Sequence, residues 1–390
     1  MAWIKNSKAR RYYLRHKSNC LTFRWRTIFW DTSTLVNTII SKDFQAKGQN
    51  KLSLEQQLEW NRWNLYNQNS NYNYKIYISK ELPGVPKNEL FPRTSPHPTL
   101  PDVNLISKLS LTSNIRDADY VLVPHAWRNL KNDKEYLVYL KDLSHQIPLL
   151  IVNSGDVSSK CTLENVIELR MFLHPWEKIN RKIVLPYPVK EKDFVIRKWK
   201  PTPRISFMGY VPKLGPGSLF GENFQGLAKP IKSSVYINRM ISLLKLNKLR
   251  SEFDVFTKER SSFTAYSSNP NLKMHISEYE IELTKSDYVL CPRGAGNTSI
   301  RFFETLSSGA TPILIDSGGS NPVINNNDFW SQNVVNVKLF EKWQNHILND
   351  WTFLGKDKNY EDRQAQNNKT FLTELKFEVY LEALFMRYLK

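Results

Sequence analysis

No stretch of this sequence approaches the roughly 18–20 uninterrupted apolar residues that a membrane-spanning helix needs, which excludes a helical integral membrane protein from the expected classes. The first residues also lack the apolar core of a secretory signal, so the expected location is cytoplasmic. Cysteine is scarce. Cys20, Cys161 and Cys291 are the three in 390 residues, and none has a partner at metal-ligand spacing. This argues against a disulfide framework and against structural zinc, and each reads as a small buried hydrophobe. Histidines such as His97 and His174 sit beside prolines without ligand spacing. Acidic residues are missing from residues 1–30, where Lys5, Lys8, Arg10, Arg11, Arg15, Lys17, Arg24 and Arg26 are interleaved with Trp3, Tyr12, Tyr13, Phe23, Trp25 and Trp30. Such a segment suits peripheral contact with an anionic membrane or a polyanion, and equally a solvated basic extension with a few docking aromatics. Nothing in it specifies a nucleic-acid partner.

What is present is enough apolar material for two cores: 390 residues, 41% hydrophobic. At about 100–200 residues per domain the natural division is two. Lys and Arg outnumber Asp and Glu by 55 to 37, a net charge of +18 that favours anionic partners. Apolar runs over Tyr74–Ser79, Tyr120–Val123 and Pro148–Asn153, with helical patterns between, read as strands of a first α/β domain. A second set follows at Arg204–Met208, Phe253–Phe256, Tyr288–Leu290, Pro312–Ile315 and Val334–Val337. The Lys- and Pro-rich segment Val189–Pro203 reads as the connection. The expected organisation is a basic aromatic extension (1–30), a first domain (31–195), a second domain (196–350) and a helical C-terminal segment (351–390). Asp119-Tyr-Val-Leu-Val-Pro124 and Asp287-Tyr-Val-Leu-Cys-Pro292 are near copies, as chance strand composition or equivalent strands of two similar domains would give.

The chemistry-bearing segment runs from Ser286 to Asp316. An apolar strand ends at Pro292, and Gly294 and Gly296 then allow a tight turn and close approach of the backbone to a ligand. Asn297, Thr298 and Ser299 are good helix N-cap types, and Ile300, Phe303 and Leu306 keep a helical period before Pro312 resumes extended structure. The free N–H groups of that helix, with Arg293 beside them, form a natural anion site. The turn lacks the third glycine of a dinucleotide fingerprint and the lysine of a P-loop. Arg301 and Glu304 stand three apart on the helix, where a surface ion pair is the commonest fate of two such residues.

The run Cys291-Pro-Arg-Gly, Ser299-Ile-Arg301-Phe-Phe-Glu304-Thr-Leu and Gly309-Ala-Thr-Pro-Ile resembles the signature of exostosin-type glycosyltransferases. Asn327-Asp-Phe-Trp330 through Val337, Arg204-Ile-Ser-Phe-Met-Gly209 and Arg239 resemble further parts of that family's pattern, and looser echoes lie at Asp119–Pro124 and Ile183–Pro188. The chain departs from the family in carrying Ala295-Gly296-Asn297 where animal members have further arginines, and it is expected to lack the membrane anchor usual in eukaryotic members. The resemblance implies a GT-B fold, two Rossmann-like α/β domains facing a cleft; separately, the mostly helical spacing of Leu375, Leu381, Leu384, Phe385 and Tyr388 within Phe371–Leu389 predicts a C-terminal closing helix. It also implies inverting transfer of a sugar from a nucleotide-sugar donor to a hydroxyl of a glycan or glycoconjugate acceptor; a UDP-linked donor is favoured, with a GDP-sugar-dependent transferase as an alternative. The rival is a polyanion- or glycan-binding protein of the same fold without turnover.

On that reading Arg293 contacts the diphosphate with the Gly294, Gly296, Asn297, Thr298 and Ser299 segment, Glu304 accepts from the ribose, and Arg301 holds Glu304 or reaches phosphate. Gly209 and Arg239 complete the donor-binding set. The general base should come from the first domain, with Asp156 and His125 as candidates at strand ends. Asp117-Ala-Asp119 matches a metal-holding Asp-x-Asp superficially, but precedes its strand where the motif should follow one. No metal and no cofactor are expected.

Overall fold

Short apolar runs covered on both faces are the building unit of this protein, which is why its strands read as near-continuous hydrophobic stretches. In the first sheet, β1 (Ile76–Ile78), β2 (Tyr120–Leu122), β3 (Leu149–Val152), β4 (Val166–Arg170) and β5 (Lys182–Val184) lie side by side in chain order, all parallel. In the second, β6 (Arg204–Tyr210), β7 (Asp254–Arg260), β8 (Tyr288–Cys291), β9 (Thr311–Ile315) and β10 (Val335–Val337) are also parallel, in the order β10-β9-β8-β6-β7. The computed structural model describes residues 74–92, 100–130, 132–153, 160–173, 177, 181–211, 230–260, 271–294, 298–315, 319–326, 328–355 and 359–388. The basic segment 1–30 lies outside them.

Both sheets are clothed by amphipathic helices. The helix Lys134–Ser144, started by the Asp133 carboxylate accepting the Tyr136 N–H at 2.9 Å, lays Tyr136, Leu140 and Leu143 against Val121, Leu149 and Ile151. On the second sheet, Pro230–Lys248 and Trp343–Gly355 cover one face through Leu243, Leu246, Trp343 and Ile347. The helices Leu272–Lys285 and Ile300–Ser307 cover the other, packing Leu283, Phe302, Phe303 and Leu306 on Val289 and Cys291. The fold is therefore α/β with two five-stranded parallel sheets, the two-sheet α/β organisation expected from the sequence.

The near-copied segments occupy matching places. The Asp119 carboxylate, just before β2, accepts the Lys75 N–H at 2.6 Å where β1 begins. Asp287, just before β8, accepts the Arg204 N–H at 2.6 Å where β6 begins. Each aspartate thus ties the start of its own strand to the preceding neighbour, and the two sheets repeat one plan. In the second, β7 is added beyond β6.

Strands β4 and β5 were not expected, because charges interrupt them. Inside the fold Glu168 and Arg170 neutralise one another at 3.1 Å, and the Asn153 amide donates to Glu168 at 2.7 Å. The chain passes between the sheets twice. Residues 189–203 run extended, with Lys192 donating its backbone N–H to the Ser307 hydroxyl at 2.9 Å and Phe194 against Gly309. The return follows the helix Asn359–Thr370 and a single π-helical turn, Phe371–Leu375. The last helix, Phe377–Tyr388, then buries Phe377, Tyr380, Leu381, Leu384 and Phe385 in the first sheet's core. It is the closing helix, and the Tyr380 hydroxyl donates to the Val184 carbonyl at 3.0 Å. No helix among the described residues is long and apolar enough to cross a membrane.

Candidate functional site

After β6 the chain builds β7 on one side and then returns to place β8 on the other, so the β6–β8 boundary is a topological switch point. In open α/β sheets the crevice beyond the strand C-termini at such a point is where ligands bind. Gly209 and Tyr210 end β6 there, and Arg293 follows the end of β8 by two residues.

Arg301, in the first turn of the helix Ile300–Ser307, crosses the end of the sheet to reach β6. Its guanidinium carbon lies 5.5 Å from the centre of the Phe207 ring, a cation–π contact. A Cβ built on Gly209 would fall 2.2 Å from Arg301 Nη2 and 2.8 Å from Cζ. Glycine is needed at 209 for space, and the space is filled by a guanidinium. Arg239, 4% exposed, donates from Nη1 to the Tyr210 carbonyl at 3.0 Å and from Nε to the Arg293 carbonyl at 3.4 Å. It braces the ends of β6 and β8 against each other, a positioning role beside the phosphate contact expected of it. Arg293 itself is 5% exposed.

The turn after β8 closes through a Gly294 N–H to Thr298 carbonyl bond of 2.8 Å, and a Cβ on Gly294 would stand 3.2 Å from that same oxygen. Gly296 and Asn297, inside this turn, lie outside the described residues. Ser299 holds the extended conformation of an N-cap, but its hydroxyl makes no capping bond. That hydroxyl therefore does not satisfy the free N–H groups at the positive end of the helix.

Arg301 and Glu304 do not pair with each other among the described residues. Glu304, 8% exposed, accepts from the Tyr279 hydroxyl at 3.0 Å and lies 3.7 Å from Lys192 Nζ, which reaches in from the connection between the sheets. Lys192 also meets Glu280 at 3.0 Å. Burial, then the adjacent Glu304 charge, raise the Tyr279 pKa well above its usual value, so its hydroxyl stays a donor. Lys192 and Tyr279 gave no signal in the sequence, since one lies in an irregular connector and the other on a different helix. Arg260, the last residue of β7, was also missed; a basic residue at a strand C-terminus was its available sign.

In the first sheet His125 is 1% exposed. Its Nε2 accepts the Leu82 N–H at 2.8 Å, which leaves the ring proton on Nδ1, 3.1 Å from the Pro86 carbonyl it donates to. Both nitrogens hold the loop after β1, an arrangement that favours a structural role for His125 over the expected one as general base. Asp156 lies outside the described residues. Asp119 is occupied with Lys75, and the Asp117 carboxylate accepts from the Asn114 side-chain amide at 3.0 Å. Among the described residues no group of three His, Cys, Asp or Glu side chains is arranged to hold a metal ion.

No protein-family model matches this sequence, and no curated protein does. Solved structures similar to it include TarM, at a TM-score of 0.29 and 10% identity over 71% of this chain and 52% of that one. The glycotransferase of kitacinnamycin is similar at a TM-score of 0.27 and 7% identity, over 73% of this chain and 71% of that one. The match spans about half the length of TarM.

Proposed function

We propose that this chain is an inverting glycosyltransferase that binds a nucleotide sugar, UDP-linked by preference, beyond the C-terminal ends of β6 and β8. The observation that carries the reading is the Arg301 guanidinium lodged against Gly209 at the switch point, beside the uncapped start of its own helix. Its likeness to the exostosin-type signature supports the assignment. In this reading Arg301, Arg293 and the turn from Gly294 to Ser299 bind the diphosphate. Their positive charge stabilises the negative charge that grows on the leaving group as the anomeric bond breaks, a role worth about 2.7–4 kcal/mol for a single well-placed donor. No metal is needed where fixed cations supply this. Glu304, held by Lys192 and Tyr279, accepts from the ribose hydroxyls. An acceptor hydroxyl of a glycan or glycoconjugate attacks from the opposite face as Asp156 removes its proton.

Arg293→Ala should abolish nucleotide affinity while keeping the fold, and Asp156→Asn should keep nucleotide affinity while losing turnover of the donor. Unchanged nucleotide affinity in Arg293→Ala would overturn the site assignment. The net charge of +18 favours a second reading, a polyanion-binding protein without turnover. That reading requires affinity that collapses steeply with salt, whereas a diphosphate-and-ribose site weakens far less.

A further inference from the structure

Arg260 ends β7 alongside Tyr210, one register position beyond the Gly209–Glu259 pair, and so sits at the same edge of the sheet as Arg301. Its side chain is 9% exposed. Nη2 donates to the His275 carbonyl at 2.7 Å and lies 3.6 Å from Glu278. Nη1 is buried and has no hydrogen-bond partner among the described residues. Glu278 is shared, because Lys258 holds it more closely, at 2.8 Å. Lys258 and Arg260 thus share this one carboxylate, and Arg301 lies near enough to act on Arg260 as a like charge. Burial pushes the Arg260 pKa down, Glu278 offsets that in part, and the like charge of Arg301 lowers it further. A buried guanidinium with an open donor beside a second guanidinium is costly unless an anion completes the group.

We propose that Arg260 is a further anion-binding residue of this crevice, gripping phosphate groups of the donor together with Arg301. The assignment rests on reading the crevice as a diphosphate site. Two arginines from adjacent strand and helix ends match two linked phosphates better than one, since each planar guanidinium can bind phosphate oxygens in pairs. Glu278 is then a competitor for Arg260, displaced in part when the ligand enters.

The test is calorimetric titration of the full chain with inorganic pyrophosphate, and separately with UDP and GDP, in chelator-treated buffer. Arg260→Gln should weaken pyrophosphate binding by at least about tenfold, with a thermal midpoint, free of ligand, equal to or above the parent's. Glu278→Gln, a change at a partly exposed position, should tighten pyrophosphate binding, which a purely structural role for Arg260 would not produce. Equal pyrophosphate affinity in the parent and Arg260→Gln overturns the Arg260 assignment alone. If Arg260→Gln does not fold, Glu278→Gln decides: unchanged or weaker binding overturns the proposal. A parent chain that binds neither pyrophosphate nor either nucleotide overturns the crevice reading and this assignment with it.

Discussion

The Arg301 guanidinium occupies the space that a side chain at position 209 would fill, 2.2 Å from where its Cβ would stand. Gly209 shows no left-handed backbone, so the position demands glycine for space rather than for conformation. Gly209→Ala should therefore push the flexible end of Arg301 away and leave the fold near parental stability, while nucleotide affinity falls by about tenfold or more. In Arg301→Ala the same Gly209→Ala change should cost nothing further, because the two act as one unit. Additive losses in that double-mutant cycle would separate them.

Lys192 reaches Glu304 from the connection between the two sheets. Lys192→Met should leave a buried carboxylate short of its cation and lower stability by about 1–3 kcal/mol in urea denaturation. Adding Glu304→Gln should recover much of that stability and still not restore nucleotide binding. Recovery of both would remove Glu304 from the site.

His125 should behave as a structural residue. His125→Ala strands the Leu82 N–H and the Pro86 carbonyl, and an unsatisfied buried pair of this kind costs about 1–3 kcal/mol. The folded fraction should turn over donor at the parental rate. Loss of turnover with unchanged stability would return His125 to the catalytic list.

Alkali should destabilise the fold. Burial is the main cause that raises Cys161 to about 11, Cys291 to about 12 and Tyr136 to about 12. Each folded-state value lies above its unfolded one, so the folded protein holds these protons more tightly. Their contribution is complete below the unfolded values, about 8.5–10, and is lost as pH rises through 11–12. The denaturation midpoint should be flat with respect to these groups up to about pH 8.5 and fall above it. Native Cys291, 0% exposed, should resist alkylation at pH 8 and react on unfolding. Rapid native alkylation would contradict its burial.

The strands legible in the sequence are those whose apolar runs match their surroundings on both faces, such as Tyr288–Cys291 and Leu149–Val152. Val166–Arg170 hid because its charges break the apolar run, and their burial depends on partners such as the Asn153 amide from the neighbouring strand, which a local pattern cannot carry. The glycine turn and Arg301 were legible for the same reason in reverse, since a strand, a turn and a helix start are contiguous. What Arg301 touches was not. Gly209 is 92 residues earlier in the chain, and nothing local distinguishes a guanidinium that crosses the sheet from one that pairs with Glu304 on its own helix. His125 was placed at the correct strand end, yet its role depended on ring orientation, which the Leu82 and Pro86 backbone groups decide.

Calorimetric titration of the parent chain and of Arg301→Ala with UDP and GDP, in the presence of excess chelator, tests the central claim most directly. The account expects saturable micromolar binding of one nucleotide that survives chelation in the parent and weakens by at least about tenfold in Arg301→Ala. Binding of neither nucleotide by the parent, or equal binding by both proteins, would contradict it.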